Sequence, residues 1–211
     1  MLHLGLTGNI ASGKSAVAVL LARHGAMIID SDVLAREAVA RGTPGLAAVV
    51  GRFGDHVLSP DGTLDRAALR RRVFANPIER DALNAIVHPE VGRLRERRLT
   101  AARERGDNIV VSDIPLLFEV GLEHAFDGIV FVDAPEGVRL ERLMRDRGLP
   151  RDEADAMLRA QDAPEEKRSR ATWVIDNDGS REQLAGRVTG LWQTLAKLAA
   201  ERAASPRSAR S

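Results

Sequence analysis

Eight consecutive residues carry the strongest chemical pattern in the chain: Gly8-Asn9-Ile10-Ala11-Ser12-Gly13-Lys14-Ser15 matches G-x-x-x-x-G-K-[ST]. Such a segment cradles a phosphate chain. Its glycines let backbone N–H groups turn inward with no Cβ in the way. A helix starting near Gly13 aims the positive end of its dipole at the same anion. Lys14 supplies a mobile point charge for the β- and γ-phosphates, and the Ser15 hydroxyl is a ligand for Mg²⁺. The flanks agree, since Leu2–Leu6 is a strand-like apolar run and Ala16–Leu21 continues as helix. This pattern in this setting predicts binding of a nucleoside triphosphate.

Further groups with chemical potential lie where strands are expected to end. Asp30-Ser31-Asp32 follows the apolar run Ala26–Ile29. Ser31 or Asp32 is expected to cap the next helix, with Asp32 pairing to Arg36 at i,i+4. In the functional account, Asp32 takes the proton of a substrate hydroxyl beside the phosphates. Asp113 ends the strand Ile109–Ser112, where a second Mg²⁺ carboxylate belongs. The loop Ile114-Pro115-Leu116-Leu117-Phe118-Glu119 packs a core or lines an apolar pocket with one polar contact. Arg139, Arg142, Arg145 and Arg147 recur along one helix before the turn Gly148-Leu149-Pro150. They form either a lid that closes on a transferring phosphoryl group or a solvated face laced with Glu141 and Asp146. Arg70-Arg71-Arg72 reads as a solvated helix face or an anion clamp, and His88 as a packed or capping residue or a substrate contact.

The elements that must position these groups alternate strand and helix. Five strands are expected, the last two at Ile129–Val132 and Thr172–Ile175. Residues 42–106 show helical spacing only, which predicts an inserted helical lobe, with a helix boundary at His88-Pro89. A helical lid is expected over about 139–161, with Arg151–Gln161 as its returning helix. Gln183–Leu198 is an amphipathic closing helix, and from about Ala199 the chain is expected to fray, with a disordered tail at 202–211. The fold class is therefore α/β: a P-loop NTPase-type parallel five-stranded sheet flanked by helices, within one domain at 1–201 whose core is 1–41 and 107–201.

Composition narrows the function. At 211 residues and 44% hydrophobic, the chain can bury a sizeable core. Its 31 Lys and Arg balance 30 Asp and Glu, which argues against a nucleic-acid-binding face. Aromatic residues are only 3% and tyrosine is absent, so base-stacking platforms are not expected. There is no cysteine for a disulfide, thiolate site or nucleophile. With neither a signal-peptide pattern nor a membrane-length apolar run, the expectation is a cytoplasmic protein without membrane partners. No long exposed apolar helix stands out, so a monomer is expected.

Several stretches together resemble the dephospho-CoA kinase family: LTGNIASGKS (6–15), IDSDVLAREAV (29–39), LDRAALRRRVF (64–74) running to HPEV (88–91), DIPLLFE (113–119) and WVIDNDG (173–179). They follow the family's order across nearly the whole chain, and the combination D-x-D-x-x-A-R, H-P and P-L-L-x-E is specific to it. The resemblance implies Mg²⁺- and ATP-dependent phosphorylation of the ribose 3′-hydroxyl of dephospho-CoA, the last step of coenzyme A synthesis. It implies that Gly8, Ala11, Ser12, Gly13, Lys14, Ser15 and Ala16 form the ATP phosphate loop, with Ser15 on Mg²⁺. Asp32 is implied to orient or deprotonate the 3′-hydroxyl, with Arg36 its neighbour. His88, Leu117 and Glu119 fall in the implied acceptor pocket, and Asn177 near adenine. The family often reads R-L-M-x-R-D-G in the lid, but here Asp146 holds the second arginine's place. Arg142 and Arg147 are the arginines expected to act on the phosphoryl group. Two alternatives remain at the level of sequence: a nucleoside or nucleotide kinase of the same architecture, and a non-catalytic nucleotide-switched binding protein. A guanine-specific N-K-x-D signature is absent.

Overall fold

A computed structural model describes residues 1–74, 76–161 and 164–204. Its strands are β1 (Leu2–Gly8), β2 (Met27–Asp30), β3 (Ile109–Asp113), β4 (Gly128–Asp133) and β5 (Trp173–Asp176). They form one parallel sheet in the order β2-β3-β1-β4-β5. β1 is therefore central, with Leu6 beside Asp113 of β3 and Gly8 beside Val132 of β4. Strand order reverses around β1, and such switch points leave a crevice at the carboxyl ends of the strands. The phosphate loop leaves β1 there.

The helices are α1 (Lys14–His24), α2 (Ser31–Ala38), α3 (Pro44–Phe53), α4 (Arg66–Phe74), α5 (Pro77–Arg105), α6 (Glu136–Arg147), α7 (Arg151–Arg159), α8 (Pro164–Arg170) and α9 (Arg181–Ala204). Every residue of β3 and β4 is buried, as helices on both faces of a parallel sheet require. Alternation along β4 divides its side chains between two cores. Val130 and Val132 join Val17 and Leu21 of α1 and Val188 and Leu195 of α9. Ile129 and Phe131 pack with Ile114, Leu117 and Phe118 from the segment after β3.

The chain divides into two compact units, one of residues 1–29 with 102 onward, the other of residues 30–101. The second has its own core of Val39, Val49, Phe53, Val57 and Leu69. α3 starts where Thr43 Oγ1 accepts from Leu46 N, with Pro44 in its first turn.

Local details depart from expectation in four places. The cap of α2 is neither Ser31 nor Asp32 but Asp30, whose Oδ1 accepts from Asp32 N at 2.8 Å and Val33 N at 3.2 Å. Three polar residues in a row all suit a cap, and the strand's end selects the first. No boundary falls at His88-Pro89, because α5 runs through Pro89. A proline within a helix leaves the carbonyl four residues back without its donor. Here Leu83, Ile86 and Val87 are packed before it, and Leu99 and Ala102 are buried after it, so packing on both sides outweighs the local cost. α9 continues past the expected fraying point at Ala199 to Ala204, because Ala199 is buried in register with Leu191 and Leu195. The expected disordered tail at 202–211 is thus helical as far as Ala204, and the rest lies outside the described residues. The short, charged α8 carries too little apolar pattern to be legible in the sequence.

Candidate active site

The phosphate loop is held from behind by its carbonyls. Ser12 N donates to Asn9 O at 3.0 Å, which closes the first turn. Ala11, with φ 58°, is the only non-glycine residue in the left-handed region among those described, and Gly13 follows with φ 94°. Arg142, on α6, donates from Nη1 to the carbonyls of Ala11 and Ser12, each at 3.2 Å, and from Nη2 to the Asn177 carbonyl at 3.0 Å. Asn177, in the turn after β5, donates from Nδ2 to Ser12 O at 2.7 Å. A Cβ on Gly13 would collide with that same Nδ2. Carbonyls engaged this way leave the loop's N–H groups, other than those of Ile10 and Ser12, to face an anion. Burial holds the Arg142 guanidinium below the usual arginine pKa, with nearby Arg145 adding to the effect.

α1 begins at Lys14 without a side-chain cap, which leaves its first turn available as an anion site. Lys14 forms an ion pair with Asp113, which is buried at the end of β3. Ser15 and Ala16 are exposed. Six residues past Asp113, Glu119 pairs with Lys167 of α8 at 2.5 Å, and Lys167 also donates to Asn9 Oδ1 at 3.0 Å. Gln161 Oε1 accepts from Ile10 N at 2.7 Å. Leu117 is buried in the core, against Gly5 of β1, whereas Leu116 is exposed. At the ends of β4 and β5, Arg168 Nη1 bridges Asp133 and Asp176, each at 2.7 Å. Those two carboxylates, Asp176 foremost, raise the Arg168 pKa above its ordinary value.

The structure thus brings Gly8, Ala11, Ser12, Gly13, Lys14, Ser15, Asp113, Arg142 and Asn177 together around one loop. Arg147 is exposed at the end of α6, and among the described residues it enters no ion pair. Arg145, its neighbour, is engaged by Asp146 and Glu141. In the second unit Asp32 lies exposed in the first turn of α2, one turn before exposed Arg36, and the two form no ion pair. His88 is exposed on α5. Arg72 is occupied within its own unit, donating to His56 Nε2 at 2.7 Å and Phe53 O at 3.0 Å. Lys167 and Gln161 hold the phosphate loop, yet neither was singled out as a site residue in the sequence. Gln161 ends the returning helix expected at 151–161, no motif marks Lys167, and their partners in the loop are about 150 positions away. A cavity of about 730 Å³ opens at the opposite end of the sheet, beside His24, Asp107 and Trp192, and no site residue lines it.

A phosphate loop on the central strand, with its lysine against the carboxylate that ends β3, defines a P-loop phosphotransferase. The family model for dephospho-CoA kinase matches residues 2–183, and the chain belongs to that family. It is 47% identical over 195 residues to a dephospho-CoA kinase of Thermobifida fusca, covering 92% of this chain and 96% of that one. The corresponding protein of Streptomyces avermitilis is 50% identical over 196 residues, covering 92% and 94%. A crystal structure from Thermus thermophilus superimposes with a TM-score of 0.79 at 42% identity, covering 93% of this chain and 97% of the other.

Proposed function

We propose that the protein transfers the γ-phosphoryl group of ATP to the ribose 3′-hydroxyl of dephospho-CoA, giving coenzyme A and ADP. Family membership supports the reaction, and the phosphate loop with Lys14 poised against Asp113 is the observation that carries it to these residues. Gly8, Ala11, Ser12, Gly13, Lys14, Ser15, Ala16 and Asn177 hold ATP. When nucleotide enters, Lys14 exchanges Asp113 for the β- and γ-phosphate oxygens. Asp32 aligns the 3′-hydroxyl and takes its proton, while Arg36, His88 and Glu119 contact the acceptor; Leu117, expected in the acceptor pocket, is a fully buried core residue and takes no part in it. Arg142, expected from the sequence to act on the phosphoryl group, has its guanidinium engaged by three carbonyls and keeps the loop's shape instead, and Arg147 closes onto the transferring group. Positioning and electrostatics carry most of the rate in such transfers.

The donor set fits Mg²⁺: the Ser15 hydroxyl and Asp113 carboxylate are hard oxygen ligands of the kind this ion takes alongside phosphate and water. Among the described residues, no group of three or more His, Asp or Glu could hold a metal by itself, which suits an ion that arrives with the nucleotide. Bound there, Mg²⁺ neutralises charge on the phosphate oxygens. Residues 42–106 serve as the acceptor-binding lobe and about 139–161 as the lid. Among the described residues, no helix is long and apolar enough to cross a membrane. We place the protein in the cytoplasm as a monomer, which light scattering tests.

The deciding experiment measures ADP release from Mg-ATP with dephospho-CoA, adenosine monophosphate and cytidine monophosphate as separate acceptors. Turnover with dephospho-CoA alone, and a 3′-phosphorylated product, is expected. Turnover only with a monophosphate would overturn the acceptor, and turnover with none would overturn the reaction.

A further inference from the structure

Lys167 is a buried lysine with two partners on two different loops. Its side chain is 4% exposed, and an ammonium so far from water persists only when paired. One partner, Asn9 Oδ1, belongs to the phosphate loop, 158 positions away in sequence. The other, Glu119 Oε1, closes the loop that begins at Asp113. At that loop's start, Asp113 is paired with Lys14. The Asp113–Glu119 loop is therefore fastened to the phosphate loop at both ends, through Lys14 at the start and through Lys167 at the finish. Gln161, six residues before Lys167, also holds the phosphate loop, accepting from Ile10 N beside Asn9. Because Lys167 takes the Asn9 carbonyl oxygen, the amide cannot turn over, although its Nδ2 is buried without a hydrogen-bond partner among the described residues.

We propose that Lys167 is a positioning residue that couples the phosphate loop to the Asp113–Glu119 loop, so that a change at either is felt at the other. It touches neither substrate and acts through Asn9 and Glu119. The inference rests on the assignment above of ATP to the phosphate loop and of acceptor contact to Glu119.

Cross-effects on Michaelis constants test it. Glu119→Gln is expected to raise the KM for ATP about fivefold or more, besides its effect on dephospho-CoA. Asn9→Ala is expected to raise the KM for dephospho-CoA by a similar factor. In a Lys167→Met background, adding either substitution should no longer move the KM of the opposite substrate. A lysine that merely fills space would lower the melting temperature but confine each effect to its own substrate, and that result overturns the coupling. Should Lys167→Met not fold, the two single variants decide the question by themselves. Calorimetry of ADP binding reads the same link without turnover. Weaker binding to Glu119→Gln supports the coupling and unchanged affinity overturns it, whereas missing turnover counts against the proposed reaction alone.

Discussion

Gly13 excludes any side chain on two independent grounds. Its φ of 94° suits glycine, and a Cβ there would meet the Asn177 amide that holds Ser12. Gly13→Ala should lose about 2–4 kcal/mol in urea denaturation and should abolish ADP binding measured by calorimetry. The two lid arginines should separate by experiment. Arg142 makes three bonds to carbonyls around the loop, so Arg142→Ala should raise the KM for ATP and cost about 2 kcal/mol of stability. Arg147 is exposed, so Arg147→Ala should lower kcat with the melting temperature unchanged. The phosphate loop was legible in the sequence because its glycines, lysine and serine are contiguous and each acts through local geometry. That Arg142 grips carbonyls, and that Lys167 grips Asn9, depends on chain crossings over a hundred residues long, which no local pattern encodes.

Among the elements, α5 gives up the most local order to packing. Pro89 withholds one helical donor partway along a 29-residue helix. Pro89→Ala should therefore stabilise the protein by about 2 kcal/mol, the helix penalty less the entropy regained by the unfolded chain, as chemical denaturation would show. No gain would mean that neighbouring groups already satisfy the freed carbonyl. The sequence suggested a boundary there because the residue before a proline disfavours helix. Burial on both sides decided otherwise. α2 illustrates the same limit at smaller cost, since a run of three capping residues predicts a cap without saying which one caps.

In the whole molecule, the closing helix ties the end of the chain to its beginning. Arg202 forms an ion pair with Asp127 Oδ1 at 2.5 Å, while Asp127 Oδ2 accepts from His3 N at 2.8 Å. Ala199 is buried in the central core. Truncation after Leu198 should lower the melting temperature by roughly 2–4 °C, about 1 kcal/mol, in a calorimetric scan. Fold class and strand count were readable because alternating apolar runs and helical spacings are short-range signals. The order in which strands lie side by side is not such a signal, and it sets how the chain must assemble. β1 leaves the ribosome before either of its neighbours in the sheet, which begin at Ile109 on one side and Gly128 on the other. The segment that carries the phosphate loop therefore waits while roughly a hundred further residues are made, several seconds or more at ordinary translation rates. During that interval its apolar strand has no sheet to join. The nucleotide site is thus begun at the phosphate loop and completed only when Asn177, 165 positions after Ser12, has been made.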